Sequence, residues 1–189
     1  MRHALAVLFA LTLLAGCGLM RVDESAVQRL PLEAKLDLIE AENDLFIAVD
    51  AVDEAATRVL ETREDEKKAD NAISEAGEAL SQAEQVKDQK LIDISQLSVT
   101  EGRQHRDFLS AWEDVMWAQL DVEKAKLELA RGRYEKARAQ AVKKANVMGA
   151  QSIKVEDFDK QVKEYEATVM TRMDGAAKEA AAAEKVRGV

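Results

Sequence analysis

PLEAKLDLIEAENDLFIAVDAVDEAATRVL, Pro31 to Leu60, carries a leucine or valine at every seventh position from Leu38 and an alanine four residues before each. Extended downstream, one series reads Leu38, Leu45, Val52, Val59, Glu66, Ile73 and Leu80. The other reads Ala34, Ala41, Ala48, Ala55, Thr62, Ala69, Ala76 and Ala83. An apolar repeat of seven is the seam of a coiled coil. Alanine in alternate layers removes the bulk that normally holds helix axes about 8–10 Å apart, so the helices it joins can sit close. Pro31 is suited to the first position of such a helix, where its missing N–H costs nothing.

The pattern weakens over ETREDEKKADNA, Glu61 to Ala72, where no large apolar side chain occurs. Nothing there breaks a helix, and Glu64 with Lys68 has the spacing of a favourable ion pair. Ser98 and Glu101 have capping-box spacing, which predicts that one helix ends near Gln96 and another starts there. The second helix repeats the device, with Phe108, Val115, Val122 and Leu129 alternating with Ala111, Ala118, Ala125, Gly132 and Ala139. Gly149 is the expected stop after it, and Ser152 the expected cap of a third helix. That helix carries Val155, Phe158, Val162, Tyr165, Val169 and Ala176 at the same spacing. The expectation is an all-α fold: an elongated antiparallel coiled-coil bundle of about three long helices, near 31–96, 99–148 and 153–186, forming a single domain over 31–189.

Composition agrees. One proline and eight glycines leave few places for turns, and 33% charged with 4% aromatic residues is the usage of long helices. The net charge of -9 makes a nucleic-acid surface an unsuitable expectation, because such surfaces are basic. It also argues against direct binding of anionic lipid heads.

The only cysteine follows an apolar run. Arg2 and His3 form a positive head, Ala4 to Leu14 is apolar apart from Thr12, and Ala15-Gly16 is a small pair. This is the layout of a secretory signal, and the run is shorter than the about 20 residues needed to span a bilayer. An uncleaved anchor with an inert thiol is the alternative reading. Leu14-Ala15-Gly16-Cys17 resembles the lipobox of bacterial lipoprotein precursors. That resemblance implies cleavage before Cys17, diacylglyceryl transfer to its sulfur and usually acylation of the new amino group. With Gly18 and no aspartate after the cysteine, it also implies export to the periplasmic face of the outer membrane. Residues 1–16 are then a signal peptide and 17–30 a lipidated cysteine with a flexible tether. The mature chain could form no disulfide, having one cysteine.

Val147-Met148-Gly149, Gln151, Ile153 and Asp157-Phe158-Asp159 follow the order found at the helical-hairpin tip of periplasmic adaptor proteins of tripartite efflux pumps, which the stretch Val147 to Ala167 resembles. In that family an Arg, Leu, Ser set at the tip meets an outer-membrane channel. Lys143, Val147 and Lys154 stand at the corresponding places here, so the serine is lost. No segment is patterned for the β-rich domains that flank an adaptor hairpin. Any two antiparallel heptad helices joined by a short glycine-containing turn have a similar look.

No enzyme is expected. His105 is the only histidine after the signal, and Gly102 occupies the place where a di-iron bundle would need Glu. A serine or cysteine nucleophile needs a partner base, and no phosphate-binding glycine loop occurs. No cofactor or metal is expected beyond the acyl groups on Cys17. Trp112 lies beside the seam and reads as core. Trp117 points away from it and needs cover, from the third helix or from a partner protein. The expected role is a lipid-anchored periplasmic scaffold or accessory protein-binding module. Its partners would be the membrane through the anchor, and other envelope proteins or itself through the coiled coil, with no nucleic acid and no small-molecule substrate. Gly149, Gln151, Lys154 and Trp117 are the candidate contact residues. Two alternatives are an adaptor-like component of an export assembly docking through 149–154 and a periplasmic holdase, although holdases of this build tend to be basic.

Overall fold

The computed structural model describes residues 18–187. Of these, 88% are helical and none lies in a strand, so the described chain is all-α with long helices packed on one another. The elements in order are α1 (Glu24–Gln28), α2 (Leu32–Leu36), α3 (Ile39–Val86), α4 (Gln89–Lys144), a 3-10 turn (Ala150–Ser152) and α5 (Val155–Arg187). The alanine and aliphatic seams fall on the covered faces. Every seam position named above from Ala34 to Ala83 is buried or half-buried, and the same holds for those of α4 and α5. The heptad series therefore marks the inward side of each helix.

The turn between α3 and α4 is not where the capping-box spacing put it. Lys87 takes φ 58°, and two hydrogen bonds close the end of α3, from Asp88 N to Ala83 O and from Lys87 N to Glu84 O. That pair is the Schellman closure, here made without the usual glycine. Asp88 then caps α4, its carboxylate accepting from the N–H groups of Lys90 and Leu91 at 3.1 and 3.2 Å. Ser98 sits inside α4 instead, its hydroxyl donating to Ile94 O. An aspartate accepting two orphan N–H groups outcompetes a serine that can satisfy itself one turn back. Pro31 likewise lies one place earlier than expected: it is the cap, with extended ψ 158°, and Leu32 is the first helical residue.

Packing divides the chain into two units, one formed by residues up to Asp44 with Ala130–Glu164 and the other by Leu45–Leu129 with Tyr165 onward. The second unit has a core in which Ala55 and Val59 meet Val115, Met116, Leu120 and Ala183. Arg63 reaches Glu113 at 2.5 Å and Gly102 lies against Ile73, so contacts fall symmetrically about Lys87 and Asp88. In this unit α3 and α4 run antiparallel. Gly102 marks a close approach, since a Cβ there would sit 2.9 Å from Ile73 Cγ1. Within the polar stretch 61–72, Thr62 and Ala69 are buried. Lys68 pairs with Asp65 at 2.7 Å, in place of the expected Glu64.

The first unit corrects the expected tether. Val22, Ala26, Leu30, Ala34 and Leu38 are buried against Ala139, Ala141, Val142, Ala150 and Phe158. Residues 22–30 are thus a packed part of the core, with only their polar sides in solvent. The physical reason is visible in the spacing: an apolar residue every fourth position from Val22 gives one helical stripe that continues into the α2 seam. Asp23 starts α1 by accepting from Ser25 N at 2.8 Å, a bond that holds its carboxyl below the usual aspartate range.

Candidate functional site

The first unit contains a clasp in which the N-terminal segment is bonded to α4 and α5. Glu135 and Arg138 stand three residues apart on the face of α4 that covers Ala139 and Val142, and are 5% and 8% exposed. A charge so buried must be paired. One Glu135 oxygen accepts from Arg138 Nη1 at 2.7 Å and the other from the backbone N–H of Val22 at 2.9 Å. Arg138 Nη2 donates to Glu24 at the start of α1. Its guanidinium also lies 5.5 Å from the Tyr134 ring centroid, a cation–π contact. Burial raises the Tyr134 phenol above its ordinary value, and the Arg138 charge pulls against that. Arg138 Nε finds no hydrogen-bond partner among the described residues, so the network is not fully satisfied.

On α5, the Gln161 amide oxygen accepts from Met20 N at 3.2 Å. Met20, Arg21 and Val22 thereby line a cleft of about 390 Å³ with Met148, Gly149, Ser152, Ile153, Lys154 and Phe158. The turn that forms its far wall starts where α4 ends. Asn146 takes φ 48° and Gly149 φ 96°. Gly149 therefore opens the 3-10 turn and does not terminate α4, which stops at Lys144. The Ser152 hydroxyl donates to Gly149 O within that turn and does not cap α5. Lys143 Nζ donates to Ile153 O, and Lys136 pairs with Asp159 at 2.6 Å, so the turn is held from both flanking helices.

The candidate contact residues are only partly brought together. Gly149 and Lys154 line the cleft, and Gln151 is exposed on the same turn. Trp117 belongs to the other unit. There it is 38% exposed, its indole N–H donates to Glu113 at 3.0 Å, and the Arg63 guanidinium lies 5.1 Å from its ring. The cover expected from the third helix is thus supplied by an arginine of α3. Glu113 accepts from both Arg63 and Trp117, which holds its carboxyl below the ordinary glutamate value. Trp112 takes its expected place beside the core, stacked on Phe108 at 5.9 Å. Cys17 and the motif Leu14, Ala15, Gly16 lie outside the described residues.

The sequence reading missed Val22, Glu24, Glu135 and Arg138. Two signals could have found them: the fourfold spacing of Val22, Ala26 and Leu30, and a Glu and Arg three apart beside the α4 seam. Among the described residues no group of three or more His, Cys, Asp or Glu is placed to hold a metal. No helix among them is long and apolar enough to cross a membrane. No protein-family model matches the chain, and neither a curated protein nor a solved structure shows significant similarity to it.

Proposed function

We propose that the protein is a lipid-anchored coiled-coil scaffold or accessory protein-binding module on the periplasmic face of the outer membrane, attached through acylated Cys17. The proposed mechanism is mechanical and asks for no catalytic group. Acyl chains hold one point in the bilayer, at about 0.8 kcal/mol per buried methylene, and several chains make that attachment effectively permanent. Three heptad helices form the body, and protein partners meet its apolar rows. Leu91, Ile94 and Leu97, between 48% and 59% exposed along the start of α4, form one such row, and exposed apolar rows of this kind mark contact surfaces.

The observation that carries the reading is the clasp. The chain just after Cys17 is bonded to α4 and α5 through Val22, Glu24 and Met20, so a lipid at Cys17 would hold a packed body and not a loose leash. Replacing Cys17 by serine tests it. The mature wild-type protein is expected to be heavier by its acyl groups and to sediment with outer membranes, and the variant to be lighter and released. Equal mass and an unchanged membrane fraction would refute the proposal.

A further inference from the structure

We infer that the turn from Asn146 to Lys154 is a membrane-contacting surface, seated on the phospholipid bilayer that holds the acyl chains of Cys17; the inference rests on the acylation of Cys17 proposed above. The first ground is distance. Met20 is pinned to α5 by its hydrogen bond to Gln161 and shares a cleft wall with Met148, Gly149 and Lys154. Met20 is three positions after Cys17, a reach of about 11 Å at full extension. The polar layer of one leaflet is roughly 5–8 Å deep. With the anchor in the acyl region, the turn stays on the order of 10–20 Å from the cysteine and thus within reach of the headgroups.

The second ground is the chemistry that the turn presents. Met148 is 77% exposed, the largest exposure among the large apolar side chains named for this unit, and its unbranched thioether suits an irregular apolar medium. The left-handed backbone at Gly149 follows it directly. Lys154 is exposed on the same turn, and such a side chain lays its methylenes along apolar surface while its ammonium group reaches phosphates; of the other lysines nearby, Lys143 donates to Ile153 O and Lys144 pairs with Asp37. The nearby Asp23 carboxylate is already engaged by Ser25 N. An exposed thioether next to an exposed lysine is an interfacial pattern, although Asp157 also lines the cleft and the chain as a whole is acidic. A turn seated at the membrane leaves adaptor-like docking through Gly149 to Lys154 without a free approach.

The test uses the full acylated chain with Met148→Cys. Acylation blocks the Cys17 sulfur, so the new thiol is the only one available. It is labelled with an environment-sensitive fluorophore and the protein reconstituted into phospholipid vesicles with and without nitroxide-bearing acyl chains. The expected result is several-fold quenching by nitroxide lipid and shielding from aqueous iodide, both lost when Cys17→Ser is added. A label open to iodide and untouched by nitroxide, on protein whose mass shows acylation, would overturn this inference alone. A mass without acyl groups would remove the anchor reading as well. Capture in cells of a channel or other protein by a photo-crosslinker on the same thiol, with no lipid adduct, would overturn the inference in favour of protein docking.

Discussion

Arg138→Met tests whether the clasp holds the N-terminal segment. The substitution keeps most of the side-chain bulk and leaves Glu135, 5% exposed, as a buried carboxylate with the Val22 N–H as its remaining partner in the network. Removing one partner of a buried ion pair costs about 3–5 kcal/mol. Relief of the unpartnered Arg138 Nε offsets roughly 1 kcal/mol of that, which leaves about 2–4 kcal/mol. With a urea slope of about 2 kcal/mol per molar, the midpoint falls by about 1–2 M. The Val22 amide keeps Glu135 as its acceptor and should lose protection from hydrogen exchange only as far as the segment's stability falls. Glu24→Gln, whose side chain is 68% exposed, should cost less than about 1 kcal/mol. The double variant Arg138→Met, Glu135→Met should recover part of the loss, because two apolar groups need no partner, while the buried Val22 N–H left without its acceptor retains about 1 kcal/mol or more of it. A single-variant cost below about 1 kcal/mol, or a double variant no more stable than Arg138→Met, would refute the assignment of the clasp as a buried paired network.

Helix glycines give an internally controlled comparison by thermal unfolding. Gly77→Ala meets nothing within 4 Å and should stabilise by about 0.5–1 kcal/mol, whereas Gly102→Ala places its methyl 2.9 Å from stiff, β-branched Ile73 and should destabilise by about 1 kcal/mol despite its better propensity. Lys87→Gly removes a left-handed non-glycine residue at the α3 end and should raise stability by about 1 kcal/mol. The Glu113 carboxyl is lowered by Arg63 and Trp117, so its contribution is complete above the ordinary glutamate value and is lost as pH falls through the lowered folded one. Denaturant melts followed by tryptophan fluorescence should therefore show Glu113→Gln less stable than wild type near neutrality, with the difference closing in acid; a constant difference would contradict the pairing.

Residues 34–83 show how much was legible along the chain. A seven-residue period needs only local geometry, since 3.5 residues per turn returns a seam to one face whatever it packs against. Ala55, Val59, Val115 and Phe158 could therefore be assigned to the covered side before any partner helix was known, and each is covered. Turn positions were less legible because two local rules competed. Ser98 with Glu101 satisfied the capping pattern, yet the chain turns at Lys87, where Asp88 accepts two N–H groups and a lysine accepts a left-handed backbone. The energy separating such caps is on the order of 1 kcal/mol, which packing over a long helix readily overrides.

The sequence by itself determined the all-α class, the seam faces and the position of the one cysteine, because period and composition are properties of the chain alone. Only the tertiary structure decided that residues 22–30 are core, that Glu135 and Arg138 hold them, and that Met20 lies across a cleft from Met148 and Gly149. Those pairings join residues more than a hundred positions apart, and a buried charge or a short amphipathic stripe has no stable meaning until the surface that covers it is present.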